Sequence, residues 1–148
     1  SPECLSLLEQ VTVKDYECGG HASIDAYAVQ HPPHAEIQQK LGINSRLIAA
    51  SKQSVAIHLL GLYLRIEKNM NRDAAGRAMQ KVLASVYKLE NEELDPPVNL
   101  GTITVVDVAK ATTCEDHLKL SEEWSKSACK AWKNYYPKVQ TWYEKYGK

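Results

Sequence analysis

The 148-residue chain carries 18 basic and 18 acidic residues, so no global field draws it to nucleic acid or to an anionic membrane. A chain of this length buries about 68–70% of its unfolded surface, enough for a core without disulfide staples, although its four cysteines could form two. No run reaches the ~18–20 apolar residues of a membrane span, and no basic-then-apolar leader opens the sequence, which gives a cytoplasmic expectation.

In chain order the elements read as helices. Ser1-Pro2-Glu3 is a start signal: a capping hydroxyl, a proline in the first turn, and an acid near the positive end of the dipole. Leu5, Leu8 and Val11 carry that helix to about residue 13. Asp15 is placed to cap a second helix running to Gln30, with Gly19-Gly20 weakening its first turns by about 1 kcal/mol each relative to alanine. His31-Pro32-Pro33-His34 stops it, because each proline bars its predecessor from the α region. A short helix over 35–41 is expected next, ended by Gly42.

Asn44 or Ser45 then caps the longest helix, to about Asn69. Its middle, from Val55 to Leu64, is apolar on every side, as befits the central helix of a bundle. Asn71 caps a helix with Ala75, Met79, Val82, Val86 and Leu89 on its core face. The stretch 90–102 is acidic, carries Pro96-Pro97 and Gly101, and reads as the longest loop. Thr104 to Asp107 has capping-box spacing for a short helix to Ala111. Thr112 or Thr113 caps the last long helix, to about Tyr135, with His117, Leu120, Trp124, Ala128 and Ala131 on one stripe. Pro137 permits a final helical piece. The fold class that follows is all-α: a single-domain bundle over 1–148, with four or five main helices and short peripheral ones.

Three of the five histidines, His21, His58 and His117, fall on stripes of three different helices where the pattern calls for apolar side chains. An unpaired buried polar group costs roughly 1–3 kcal/mol, so each ring needs a partner. Asp25 lies four residues after His21 and shares its helix face. Three imidazoles and a carboxylate suit a divalent metal ion, zinc, nickel or iron, with Asp25 as fourth ligand or general base. The bland reading, a core histidine bonded to a backbone or side-chain acceptor, applies to each ring taken alone. A competing ligand set pairs Cys18-x-x-His21 with Cys114-x-x-His117 as a closed Cys2His2 zinc site. The sequence holds no G-x-S-x-G, no H-E-x-x-H and no glycine-rich phosphate loop. Trp132, Tyr135, Tyr136, Trp142, Tyr143 and Tyr146 are interleaved with lysines near the end. At helical spacing they read as core with lysine stems over them; a protein-protein or dimer surface is the next reading, and a nucleic-acid clamp the last.

The run His21-x-x-x-Asp25-Ala26-Tyr27-Ala28-Val29-Gln30-His31-Pro32 resembles the signature of an uncharacterised bacterial family of unknown function. Ser1-Pro2-Glu3-Cys4, the run from Gln53 to Leu59, Gly101-x-x-Thr104-Val105-x-Asp107-Val108, Asp116-His117, Trp124 and Trp132 extend the resemblance over nearly the whole chain. In that resemblance His21, Asp25, His31, His58 and His117 fall on the family's pattern, whereas Cys18 and Cys114 do not, which favours the histidine–carboxylate set. It implies no reaction, substrate or cofactor. A looser similarity is to metal-dependent helical bundles in which three histidines hold one ion. The functional expectation is a metal-dependent hydrolase or group transferase acting on a small molecule. The alternative is a non-catalytic helical module whose histidines form a polar or metal staple and whose aromatic tail meets a protein partner or a second copy.

Overall fold

The computed structural model describes residues 2–20, 23–32, 45–85 and 94–148. Seven α-helices lie there: α1 (Pro2–Cys18), α2 (Ser23–Gln30), α3 (Ser45–Ile66), α4 (Arg72–Leu83), α5 (Val105–Ala109), α6 (Cys114–Ala131) and α7 (Tyr136–Trp142). A 3-10 turn (Lys133–Tyr135) joins α6 to α7, and a π turn (Tyr143–Gly147) closes the chain. No strand occurs among the described residues. The all-α reading holds. The short helix expected over 35–41, and Val86 and Leu89, fall outside the described residues.

The central helix is where the apolar run placed it. Leu59, Leu60, Leu62 and Leu64 are fully buried, and Val55, Ala56, Ile57 and Tyr63 nearly so. A helix this apolar can be stable only when neighbours cover every side. Here α2, α4, α6 and α7 supply the cover. Asn71 caps α4 by accepting from the Ala74 N–H, and Thr113 caps α6 by accepting from the Asp116 N–H. Thr104 and Asp107 form the expected reciprocal capping box, which lets a helix as short as α5 start.

One boundary differs from the sequence reading. The first helix continues through residues 13–15 to Cys18, and the break falls on Gly19-Gly20. Gly19 takes φ +70°, a left-handed conformation that suits glycine after a helix end. Asp15 therefore does not begin a helix, as the sequence reading had it. It sits buried in the last turn of α1, with consequences for the site below.

A disulfide, Cys18–Cys114, ties the last residue of α1 to the first of α6 across 96 positions of sequence. Cys129 is fully buried and free, and burial pushes its thiol up to about 11, as expected for a cysteine acting as a small hydrophobe. Closing so long a loop stabilises by about 4–5 kcal/mol in the chain-entropy account. Reduction with a dithiol should therefore lower the melting temperature by on the order of 10 °C, and Cys18→Ser/Cys114→Ser should melt alike with and without reductant. Differential scanning calorimetry reads both.

Tryptophan fixes the small helix α2 from the other side. The Trp132 indole N–H donates to the Val29 carbonyl at 3.0 Å, and that of Trp124 to Gln30 Oε1 at 2.8 Å. The Gln30 amide in turn donates to the Leu100 and Ile103 carbonyls at 3.1 and 2.7 Å, so the long loop is anchored to α2.

The aromatic tail packs as core. Val139 and Trp142 are buried, Tyr63 donates to Gln140 Oε1 at 3.0 Å, and the π turn lies against α4. Trp142→Ala should cost about 3–5 kcal/mol, and deleting 137–148 should leave an aggregation-prone bundle. Chemical denaturation and light scattering test the pair; a truncated chain that unfolds like the parent would show that the tail contributes nothing.

Candidate functional site

α2 begins at Ser23, so Asp25 stands in its first turn and points at α3. There the spacing of His58, Gly61 and Arg65 puts three residues of α3 on one face. His58 Nδ1 lies 2.6 Å from Asp25 Oδ1, and Arg65 Nη2 donates to Asp25 Oδ2 at 3.1 Å. A carboxylate can only accept, so Nδ1 is the nitrogen that donates to Asp25 and Nε2 points away from it. Asp25 and Arg65 are both 5% exposed, whereas the His58 ring is 23% exposed. Gly61 makes room for this meeting. A Cβ there would stand 3.2 Å from Asp25 Oδ2 and closer still to the Met79 thioether.

His117 has a different carboxylate. Its Nε2 donates to Asp15 Oδ1 at 2.7 Å, and Ser121 Oγ stands 3.5 Å from the same nitrogen. Asp15 Oδ2 accepts from the Ser23 N–H at 3.0 Å, so the end of α1 caps the start of α2 by side chain. His117 is fully buried, and its Nδ1 has no hydrogen-bond partner among the described residues. The Cys18–Cys114 bridge is the next rung of the same crossing: Asp15 and Cys18 are three apart on α1, as are Cys114 and His117 on α6.

Of the four residues singled out as metal ligands, the structure brings Asp25 and His58 together and gives His117 to Asp15 instead. His21 lies outside the described residues; Gly20 and Ser23, which flank its segment, both hydrogen-bond to Asp15 through their backbone N–H groups. Both Asp25 oxygens are taken by His58 and Arg65, so the carboxylate acts on the histidine. Among the described residues no group of three or more His, Cys, Asp or Glu side chains is placed to hold a metal ion. Cys18 and Cys114 do meet, as the Cys2His2 set requires, but they are bonded to each other. His31, exposed, donates through Nδ1 to the Tyr27 carbonyl at 2.8 Å and stacks on that ring, a helix-end arrangement. Burial, then the nearby Cys4, raises the Tyr27 phenol above its usual range.

Sequence reasoning missed Arg65 and Asp15. Arg65 had a signal: a cation directly after an apolar run, seven residues after His58 and so on the same face, needs a carboxylate facing it. Asp15 had a weaker one, since a residue read as a cap attracts no search for a partner.

A family model described as a family of unknown function (DUF5946) matches residues 1–133, and the chain belongs to that family. Comparison with curated proteins and with solved structures returns no match. The matched region stops just before α7, whose Val139 and Trp142 nevertheless complete the core.

Removing one member of a buried ion pair strands the other. Asp25→Ala should cost about 3–5 kcal/mol, because Arg65 stays buried without its counter-charge. Asp73→Ala should change stability little, because its contact with Arg72 is 4.0 Å long and solvated. Urea unfolding of both variants tests the contrast.

Proposed function

From a family that brings no reaction with it, we propose that the protein is a metal-dependent hydrolase or group transferase built on its histidine–aspartate pairs. One observation carries the reading. His117 has one ring nitrogen bonded to a carboxylate and the other without a partner among the described residues, and His58 is likewise held through Nδ1 by a carboxylate. Histidines that ligate metals are usually oriented this way, the carboxylate fixing the tautomer and raising the basicity of the free nitrogen. Asp25 orients His58 and Arg65 holds Asp25; Asp15 orients His117. His21, expected from the sequence as the third imidazole, falls between Asp15 and Asp25 in sequence and lies outside the described residues. A zinc, nickel or iron(II) ion would polarise a carbonyl or phosphoryl oxygen and acidify a coordinated water or thiol. The His58 ring faces solvent, so a small substrate can approach from its side.

The second reading, a non-catalytic helical module, is favoured by two observations: His117 is wholly buried, and Arg65 already pairs with Asp25. In that case the two pairs are polar staples that fix how α2 sits on α1, α3 and α6.

Metal analysis of untagged protein purified without nickel separates them. The enzyme reading predicts a stoichiometric divalent ion, lost in His58→Ala, bound about 10–100-fold more weakly in Asp25→Asn, and retained in Cys18→Ser/Cys114→Ser. Release of the ion by the double cysteine variant would transfer the site to the Cys2His2 set. Metal-free wild-type protein that melts identically with and without zinc, nickel, manganese or iron(II) would refute metal dependence.

A further inference from the structure

The long loop is pressed onto the end of α6 at a place that needs glycine. Gly101 takes φ +112°, and a Cβ there would stand 2.9 Å from Ser127 Oγ and 3.2 Å from the Ser127 carbonyl. The contact opens a groove of about 480 Å³ between loop and helix, within the usual range for small-molecule sites. Asn99, Thr102, Ser127, Lys130 and Lys133 line it with Gly101, and among the described residues no carboxylate does.

The hydrogen bonds already made leave this lining rich in donors. Asn99 Oδ1 is occupied by the Gly101 N–H at 3.0 Å, so the Asn99 amide retains its two N–H hydrogens. Ser127 Oγ accepts from the Thr102 N–H at 2.9 Å and shares a second bond, 3.3 Å long, with Thr102 Oγ1. Two hydroxyls hold two hydrogens, and the bond between them uses one. The other has no acceptor among the described residues. Neither Lys130 nor Lys133 joins any ion pair found among those residues. The end of α6 opposes an anion with roughly half a negative charge, against two full ammonium charges. Attraction wins.

We propose that this groove binds a small phosphate ester, with Lys130 and Lys133 as the charged clamp and Asn99, Thr102 and Ser127 supplying directional donors. Two ammoniums, an amide and a hydroxyl match a dianion with three terminal oxygens better than they match a flat monoanionic carboxylate. The volume leaves room for the ester's organic part. The groove shares no residue with the histidine–aspartate pairs and does not rest on the metal reading.

The test is calorimetric titration of the full chain with glycerol 3-phosphate, inorganic phosphate and malonate. The expected result is saturable one-to-one binding of the ester, with phosphate weaker and malonate weakest. Lys130→Ala/Lys133→Ala should weaken binding by on the order of tenfold or more. Lys119→Ala/Lys145→Ala, which alters the same charge elsewhere, should not. Gly101→Ala, which forces the loop off Ser127, should weaken binding without a change of charge. The proposal is overturned by no saturable binding, by equal loss in the two lysine pairs, or by malonate binding as tightly as the ester. It is overturned too by capture on phosphatidic acid vesicles without binding of the soluble ester.

Discussion

The carboxylate of Asp25 is the charge around which the bundle is organised. It is buried against an apolar helix, where an unpaired carboxylate would be far too costly, and it is tolerable only because His58 and Arg65 reach it from one face of α3. That requirement constrains the rotation of α3 and the position of the first turn of α2. Hydrophobic burial supplies most of the driving force, but it is non-directional. A run of leucines accepts many rotations of its helix; two charge-assisted bonds to one carboxylate accept few.

α2 shows how much polar bonding an eight-residue helix needs to hold its place. Isolated helices of that length are not stable in water. Its first N–H is capped by Asp15 from α1, its first-turn acid is held by α3, its Val29 carbonyl by Trp132, and its last side chain by Trp124. Every neighbour that packs on it also bonds to it. Ser23 Oγ, Arg65 Nε and His117 Nδ1 are the buried side-chain atoms, among those described, that remain unpartnered. All three belong to residues of the two carboxylate networks or abut them, which is where departures from full satisfaction are expected if the protein keeps donors and acceptors in reserve for function.

The fold class, the central helix and three caps were legible because they rest on local rules. Asn71, Thr104 and Thr113 act within three residues of themselves, and the run from Val55 to Leu64 states its own burial. What was not legible depends on chain segments meeting. Asp15 looks the same in sequence whether it caps a helix or ends one, and only the left-handed turn at Gly19 decides. The division of two histidines between two carboxylates follows from which helices cross, α6 on α1 and α3 on α2, and periodicity leaves that open. The same holds for Cys18 and Cys114, whose matching C-x-x-H frames suggested a shared ion and which the helix crossing joins to each other.

The covalent bridge also changes what kind of object the chain is. Because it joins positions 18 and 114, α2, α3, α4 and α5 lie inside a closed ring, with most of α1 as one tail and the rest of α6, α7 and the final turn as the other. A single backbone cut inside the ring therefore leaves one covalently joined molecule, its tails still linked through the bridge. The same cut in the reduced chain yields two fragments held only by packing. Tolerance of nicking is thus a property of the thiol state, independent of how exposed any loop is.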